Sequence, residues 1–360
     1  MPRNILIINP YGIGDVLFST PLIRNLRFYY PNAFIAVAVQ KNVAPILDNN
    51  PYVNRVIAFS RGDFKELRKS SPLKAVFLLI KTLVRVLHCK FNLCIDLSLD
   101  HRYSLFLKFF GIKPRIGYNY KNRGRFLNHS INIEGYADKH VVEYLLELLK
   151  FLGLKPRFFN LEVFLTKEEK NWARIFLSQN GVLENDLVVG LLPGGGASWG
   201  EKANYLQWPY ENFAKVCDEL QKTVGARILL FGSKADIEIC QNIMKILRHK
   251  PIELCGRTNL RQFISLLDRC NLVICNDTGP LHISTALGKR LVCLCGPVDE
   301  RVYGPYPPSS DRIVIKKDFP CRPCYKKFQI PNCDYEQRCL RMIDVDEVIA
   351  QAKELFAMKE

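Results

Sequence analysis

The chain is 360 residues long, with 48% apolar and 24% charged residues, enough for two ordinary domains. That composition excludes a disordered or collagen-like chain, and no apolar run approaches the ~20 residues of a membrane span. The formal charge of +16 is uneven: residues 1–160 hold 24 Lys/Arg against 10 Asp/Glu, while the other 200 hold 27 against 25.

The basic half reads either as a generally high isoelectric point or as a surface that meets phospholipid, a phosphorylated glycan or nucleic acid. No aromatic RNA-binding motif or paired zinc-finger spacing is present, so nucleic acid is not expected as a partner. Arg3 leads into a short apolar run without a small-residue cleavage site, and no secretory leader is expected. Most of the 13 cysteines sit singly in apolar runs, as Cys217, Cys240 and Cys275 do, and read as small buried hydrophobes in a reducing cytoplasm.

Short apolar runs alternate with helical periodicity, the rhythm of a parallel α/β sheet. The first predicted strand, Asn4–Ile8, runs into Gly12-Ile13-Gly14-Asp15. Such a loop suits close approach by a ligand, but no third glycine completes a dinucleotide fingerprint. Pro21 suits a helix start with Thr20 as its cap, which leaves Asp15 in an irregular turn. Asp15 is either a helix cap or a general base at an interdomain cleft. Further strands are expected at Phe34–Val39, Val56–Phe59, Leu93–Leu97 and Arg115–Gly117.

The domain boundary is placed near 155–170, because a Pro-containing connector precedes a well-started helix at Lys167–Asn180. The second half restarts the alternation. Strands are expected at Leu187–Leu191, Arg227–Phe231, Ile252–Leu254, Leu272–Cys275 and Arg290–Leu294. Helices are expected at Tyr210–Thr223, Asp236–Leu247, Leu260–Asp268, Pro280–Leu287 and Val345–Met358. Two doubly wound domains would leave a cleft between the carboxyl ends of their strands.

Three strand exits in this half carry chemistry. Gly194, Gly195, Gly196, Ala197 and Ser198 follow the first strand, with Lys202 as a nearby cation and Trp208 reading as core. Gly232, Ser233 and Asp236 follow the second and suit a ribose or base. Asn276-Asp277-Thr278-Gly279-Pro280 follows the fourth; Asp277 or Thr278 can cap the next helix, whose free amides and dipole attract an anion. His282 lies one turn in, where it is either structural or reaches a phosphate or sugar hydroxyl.

GIGDVLFSTPLIRNL, NDTGPLHISTALGKRLVCLCGP, GASWGEKANYLQWP, GSKADIE and the closing CRPC segment together resemble glycosyltransferase family 9, the heptosyltransferases, from about residue 3 to 350. The resemblance implies an α/β GT-B architecture of two Rossmann-like domains facing across a cleft. Residues 1–160 would bind the acceptor and 161–345 the nucleotide-sugar, with a closing helix, 346–360, packing back on the first domain. It implies metal-independent, inverting transfer of heptose from ADP-heptose to a lipid-linked oligosaccharide in lipopolysaccharide core assembly. Another sugar or acceptor, or a nucleotide-sugar epimerase of the same fold, is the alternative. Asp15 matches the family's catalytic carboxylate, and Asp277, Thr278, Gly279 and His282 its donor motif. Gly194, Ser198, Lys202, Gly232 and Asp236 complete the expected donor set. The sequence departs from the family in one place: Leu206-Gln207, not a lysine, precede Trp208-Pro209, with Lys202 further upstream.

For the acceptor, Gly12 and Gly14 join Arg61, Arg102, Arg123 and Arg125, the arginines chosen by charge. Pro72–Lys90 reads as a helix with Lys74, Lys81, Arg85 and His88 on one stripe, either packed on the sheet or lying in a membrane interface. Together with the basic first half, this points to a cytoplasmic protein peripheral on an anionic inner membrane surface. Cys321, Cys324, Cys333 and Cys339 fall within 19 positions and could hold a structural zinc, stay reduced, or form a redox pair. No cofactor is expected for catalysis.

Overall fold

The computed structural model describes residues 2–60 and 89–358. The chain divides into two compact units: residues 1–136 with 141–159, and residues 137–140 with 160–360.

The first unit is built on strands β1 (Asn4–Asn9), β2 (Phe34–Gln40), β3 (Arg55–Phe59), β4 (Leu93–Asp96), β5 (Arg115–Tyr120) and β6 (His129–Ile133). They form one parallel sheet in the order β3-β2-β1-β4-β5-β6. The runs ILII and IAVAV are buried on both faces, as a helix-covered parallel sheet requires. Its helices include α1 (Ile13–Phe18), α2 (Thr20–Tyr29), α3 (His101–Phe109) and α4 (Val141–Glu147).

The second unit repeats the winding with β7 (Val188–Leu192), β8 (Arg227–Leu230), β9 (Ile252–Glu253), β10 (Leu272–Asn276), β11 (Arg290–Cys295) and β12 (Arg312–Lys316). Their order is β12-β11-β10-β7-β8-β9, all parallel, the same wind read from the other edge. Its helices are α5 (Lys167–Gln179), α6 (Tyr210–Val224), α7 (Ile237–Ile246), α8 (Leu260–Asp268), α9 (Gly279–Ala286), α10 (Glu300–Tyr303), α11 (Arg338–Arg341) and α12 (Val345–Ala357). Thr166 caps α5 reciprocally with Glu169, and Arg261 of α8 then holds that carboxylate at 2.6 Å.

Each sheet reverses its strand order once, between β1 and β4 and between β7 and β10. In open α/β sheets, ligands bind outside the carboxyl ends of the strands at such reversals.

Two expectations are corrected. The closing helix, expected to pack back on the first domain, buries Val348, Ile349, Ala352 and Leu355 in the core of the second unit, with Trp208 and Phe213. Residues 137–140 also belong to the second unit, where His140 Nε2 lies 3.1 Å from Gly304 O and its ring stacks on Tyr306. Strands β6 and β12 are additional to those expected; both are edge strands with short, half-polar sequences. Arg61 and the Pro72–His88 part of the basic helix lie outside the described residues. No described helix is long and apolar enough to cross a membrane.

Candidate active site

In the first unit the loop leaving β1 is tied down on both sides. Gln40 Nε2 donates to Pro10 O at 2.6 Å, Asn9 Nδ2 donates to Asp15 O at 2.8 Å, and the Tyr11 hydroxyl donates to Ser98 O beyond β4. Asp15 stands in the first turn of the short helix α1, not in an irregular turn. The chain kinks at Ser19 before α2, so Thr20 is the first residue of that helix, not its cap. The Asp15 carboxylate accepts from Gly12 N at 3.1 Å. It therefore does cap a helix, while keeping part of its side chain at the surface. Burial raises its pKa to about 6, against the lowering effect of the Gly12 amide.

A second carboxylate stands one strand away. Asp96, at the end of β4 and 4% exposed, accepts from Ser98 N at 3.0 Å, and burial likewise raises it to about 6. The sequence signal for it was an acid ending a buried LCID run. Of the acceptor candidates, Arg102 is engaged: its guanidinium makes two-pronged contact with Asp100, the residue that caps α3. Arg123 and Arg125 are exposed and lie over the Tyr120 and Phe126 rings. Gly12 and Gly14 flank the turn into α1.

In the second unit three strand exits meet. Asn276, fully buried at the end of β10, donates through Nδ2 to Pro193 O at 2.9 Å and Gly194 O at 3.2 Å, and accepts from Trp208 N at 3.2 Å. A buried amide must spend its hydrogen bonds, and here they lock the glycine loop to the Asp277 turn. Asn276 is absent from the residues chosen from sequence, although a polar residue closing the apolar run LVIC was the available signal.

The glycines leave no room for side chains. A Cβ on Gly195 would lie 1.9 Å from Ala203 O, one on Gly194 2.6 Å from Asp236 Oδ1, and Gly196 has φ +82°. Gly232 likewise packs against Cys255 Sγ and Asp236. Asp236 accepts from Ser233 N and Oγ, closing its own turn. Ser198 lies in the 3-10 segment Ala197–Leu206. Lys202 in that segment donates to Ile330 O at 2.6 Å. Trp208 is core, as expected, its Nε1 donating to Ile343 O.

Asp277 and Thr278 are buried at the mouth of α9, whose first residue is Gly279. Burial raises Asp277 to about 7, while the Cys295 thiol at 3.7 Å and Arg322 oppose the rise. His282 is 6% exposed, and burial with neighbouring His140 lowers its pKa to about 3. It is a neutral hydrogen-bonding group at pH 7, not a cation.

Arg322, the second residue of the CRPC segment, turns inward with 6% of its side chain exposed. It donates to Gly296 O at 2.8 Å, Val298 O at 3.1 Å, Cys295 Sγ at 3.3 Å and Glu300 Oε2 at 2.7 Å. Tyr325 packs edge-on against Trp199 and Tyr303. The cysteine-bearing segment is thus a strap across the exits of β7 and β11. Cys321, Cys324 and Cys333 are half-buried and Cys339 is buried. The thiols are near enough that each other's charge, after burial, helps push Cys339 up to about 11. Among the described residues, however, no group of three or more His, Cys, Asp or Glu side chains could hold a metal ion.

Residues 79–333 match the model of glycosyltransferase family 9 (heptosyltransferase). The chain is 30% identical over 331 residues to lipooligosaccharide heptosyltransferase 2 of Haemophilus influenzae, covering 87% of this chain and 88% of the relative. It is 25% identical over 347 residues to lipopolysaccharide heptosyltransferase 3 of Escherichia coli, covering 95% of each. The solved structure of Escherichia coli ADP-heptose lps heptosyltransferase II superposes with a TM-score of 0.75 at 23% identity, covering 98% of both chains, and shares the fold. The chain belongs to glycosyltransferase family 9, the heptosyltransferases.

Proposed function

We propose that the protein transfers heptose from ADP-heptose to a lipid-linked oligosaccharide acceptor in lipopolysaccharide core assembly, with inversion. The names of its relatives, heptosyltransferases of lipopolysaccharide and lipooligosaccharide, support the sugar and the acceptor class. Asp15 takes the proton from the acceptor hydroxyl. The freed oxygen attacks the anomeric carbon, the bond from that carbon to the β-phosphate oxygen breaks, and ADP leaves with the electron pair. The observation that carries the base assignment is the placement of Asp15, half-buried in the first turn of α1 just after β1 and held by the Gly12 amide; burial raises its pKa to about 6, which leaves the carboxylate ionised at pH 7.

The donor set is Gly194, Ser198, Gly232, Asp236, Asp277, Thr278, Gly279 and His282. Backbone amides at the start of α9 and the neutral His282 ring offer hydrogen bonds to a pyrophosphate. Lys202 joins this set by giving up its bond to Ile330 O. No bound metal is needed in this scheme, and the basic first unit works at the anionic cytoplasmic face of the inner membrane.

The deciding experiment is a donor screen of ADP-heptose against other nucleotide-sugars, following ADP release with and without acceptor. Acceptor-dependent release from ADP-heptose alone supports the assignment. Equal turnover of other nucleotide-sugars, or product formation without acceptor, sinks it.

A further inference from the structure

Residues 101–133 contain seven Lys/Arg and no Asp/Glu, the longest reach of the first unit's charge imbalance that can be followed in three dimensions. They comprise α3, the turn after it, β5, a loop at 121–127 and β6. Six of the seven cations, Arg102, Lys108, Lys113, Lys121, Arg123 and Arg125, are exposed.

The seventh, Arg115, explains why they share a surface. It is buried, and it donates to Ile112 O at 2.6 Å and to Phe126 O at 2.7 Å. One guanidinium thereby fastens the end of α3 to the 121–127 loop. On the outer side, Lys108 of α3 and Arg125 of the loop both lie over the Phe126 ring, 5.4 Å and 5.0 Å from its centroid. Helix and loop form one continuous basic surface.

Helix α3 also has apolar residues on the wrong side for water. Ser104 and Leu107 face the core, while Leu105 and Phe109, one turn apart, are 45% and 83% exposed. Phe109 is the most exposed of the large apolar side chains described. Single exposed hydrophobes are ordinary, but a Leu/Phe pair at i, i+4 set in an acid-free basic surface is the pattern of an interfacial anchor. The two apolar side chains supply insertion depth, and the cations supply attraction to anionic headgroups.

We propose that the face of α3 bearing Leu105 and Phe109, with the flanking Lys108, Lys113, Lys121 and Arg125, seats the first unit on an anionic lipid bilayer. The proposal deepens the reading of a lipid-linked acceptor and rests on it for its biological meaning, while its physical test does not use turnover. The occupant follows from charge: residues 101–133 carry no acid to meet a basic partner, Asp100 at the start of α3 is taken up by Arg102, and a bilayer offers the apolar depth that Phe109 needs.

The test is co-sedimentation of the full chain with phosphatidylglycerol/phosphatidylethanolamine vesicles, compared with pure phosphatidylcholine vesicles, at low and high salt. The wild type should bind the anionic vesicles and lose most of that binding at ~0.5 M salt, where the Debye length is a few ångström. Leu105→Ser with Phe109→Ser should weaken binding at least ~tenfold, from the apolar area withdrawn from lipid contact. Lys108→Glu with Lys113→Glu should abolish it at low salt, and serves as the check if the serine variant is poorly folded. Unchanged vesicle binding in either well-folded variant overturns the proposal. So does equal binding to phosphatidylcholine, or a wild-type dimer in solution that the Phe109 variant dissociates. ADP release with a delipidated, water-soluble acceptor is measured in parallel: its absence in the wild type refutes the assigned reaction, whereas vesicle binding judges the surface alone.

Discussion

Arg322 and Glu300 form an ion pair at 2.7 Å, buried where the cysteine strap crosses the exit of β11. The guanidinium has three further acceptors there, the Gly296 and Val298 carbonyls and the Cys295 sulfur. Cys295 in turn donates to Asp277. A residue of the strap therefore supports the Asp277 turn at one remove.

Removing one member of a buried pair leaves the other charged and poorly solvated. Lys316 remains beside Glu300 and softens that loss. Arg322→Met is expected to cost about 2–4 kcal/mol, read from the urea midpoint, and to weaken ADP binding in calorimetry. Arg322→Lys should recover part of both, since it restores charge but cannot reach four acceptors. An Arg322→Met protein with wild-type stability and ADP affinity would contradict this arrangement.

Asp15→Asn should keep donor affinity and lower kcat by about 10²–10⁴, the range of a general base. Because the base acts ionised and its pKa is about 6, wild-type kcat/KM should climb with pH to about 6 and level above it. The asparagine variant should lack that limb in a pH–rate profile. A persisting limb would move the base elsewhere, with Asp96 the next group to examine.

Asn276→Ala strips the Pro193 and Gly194 carbonyls and the Trp208 amide of their shared partner. With about 1–3 kcal/mol for each buried group left unsatisfied, a loss of at least ~3 kcal/mol is expected in denaturant unfolding. ADP binding should fall as well, because the glycine loop loses its tie to the Asp277 turn. Asn276→Asp should be no better, since a carboxylate cannot donate to two carbonyls.

Asp277 gives a prediction in the opposite direction. Its folded pKa is raised from 3.8 to about 7, so its contribution to stability is full below 3.8 and is lost as pH rises through 7. Asp277→Asn removes that loss. Between pH 5 and pH 8 the variant should lose less stability than the wild type by on the order of 2 kcal/mol, measured by urea unfolding at both values. Equal pH dependence in the two proteins would place the raised carboxylate elsewhere.

Most strands could be read from the sequence because a sheet buried on both faces demands unbroken Val/Ile/Leu runs, and ILII, LCI and LVIC supply them. The edge strands β6 and β12 face water along one side and carry no such signature. Asp15, Asp277 and the glycines were legible as local patterns. The roles of Asn276 and Arg322 were not, because they depend on partners 22 to 83 residues away: Trp208 and Pro193 for the amide, Glu300 for the guanidinium. The closing helix was misplaced for the same reason: its apolar stripe specifies that it packs, not on which sheet.

The two units share one winding order, and in both every group with chemistry leaves from the carboxyl end of a strand. Evolution can therefore tune this enzyme in modules. Under the proposed assignment, changes in Gly194–Leu206, Gly232–Asp236 and Asn276–Gly279 would alter the preferred nucleotide-sugar, and changes in the β1 and β4 exits the preferred hydroxyl. The buried strands beneath, and the strap that spans two of the exits, stay fixed. Laboratory redesign of specificity has the same map: randomise the exits, and leave Asn276 and Arg322, the two side chains that hold those exits in place.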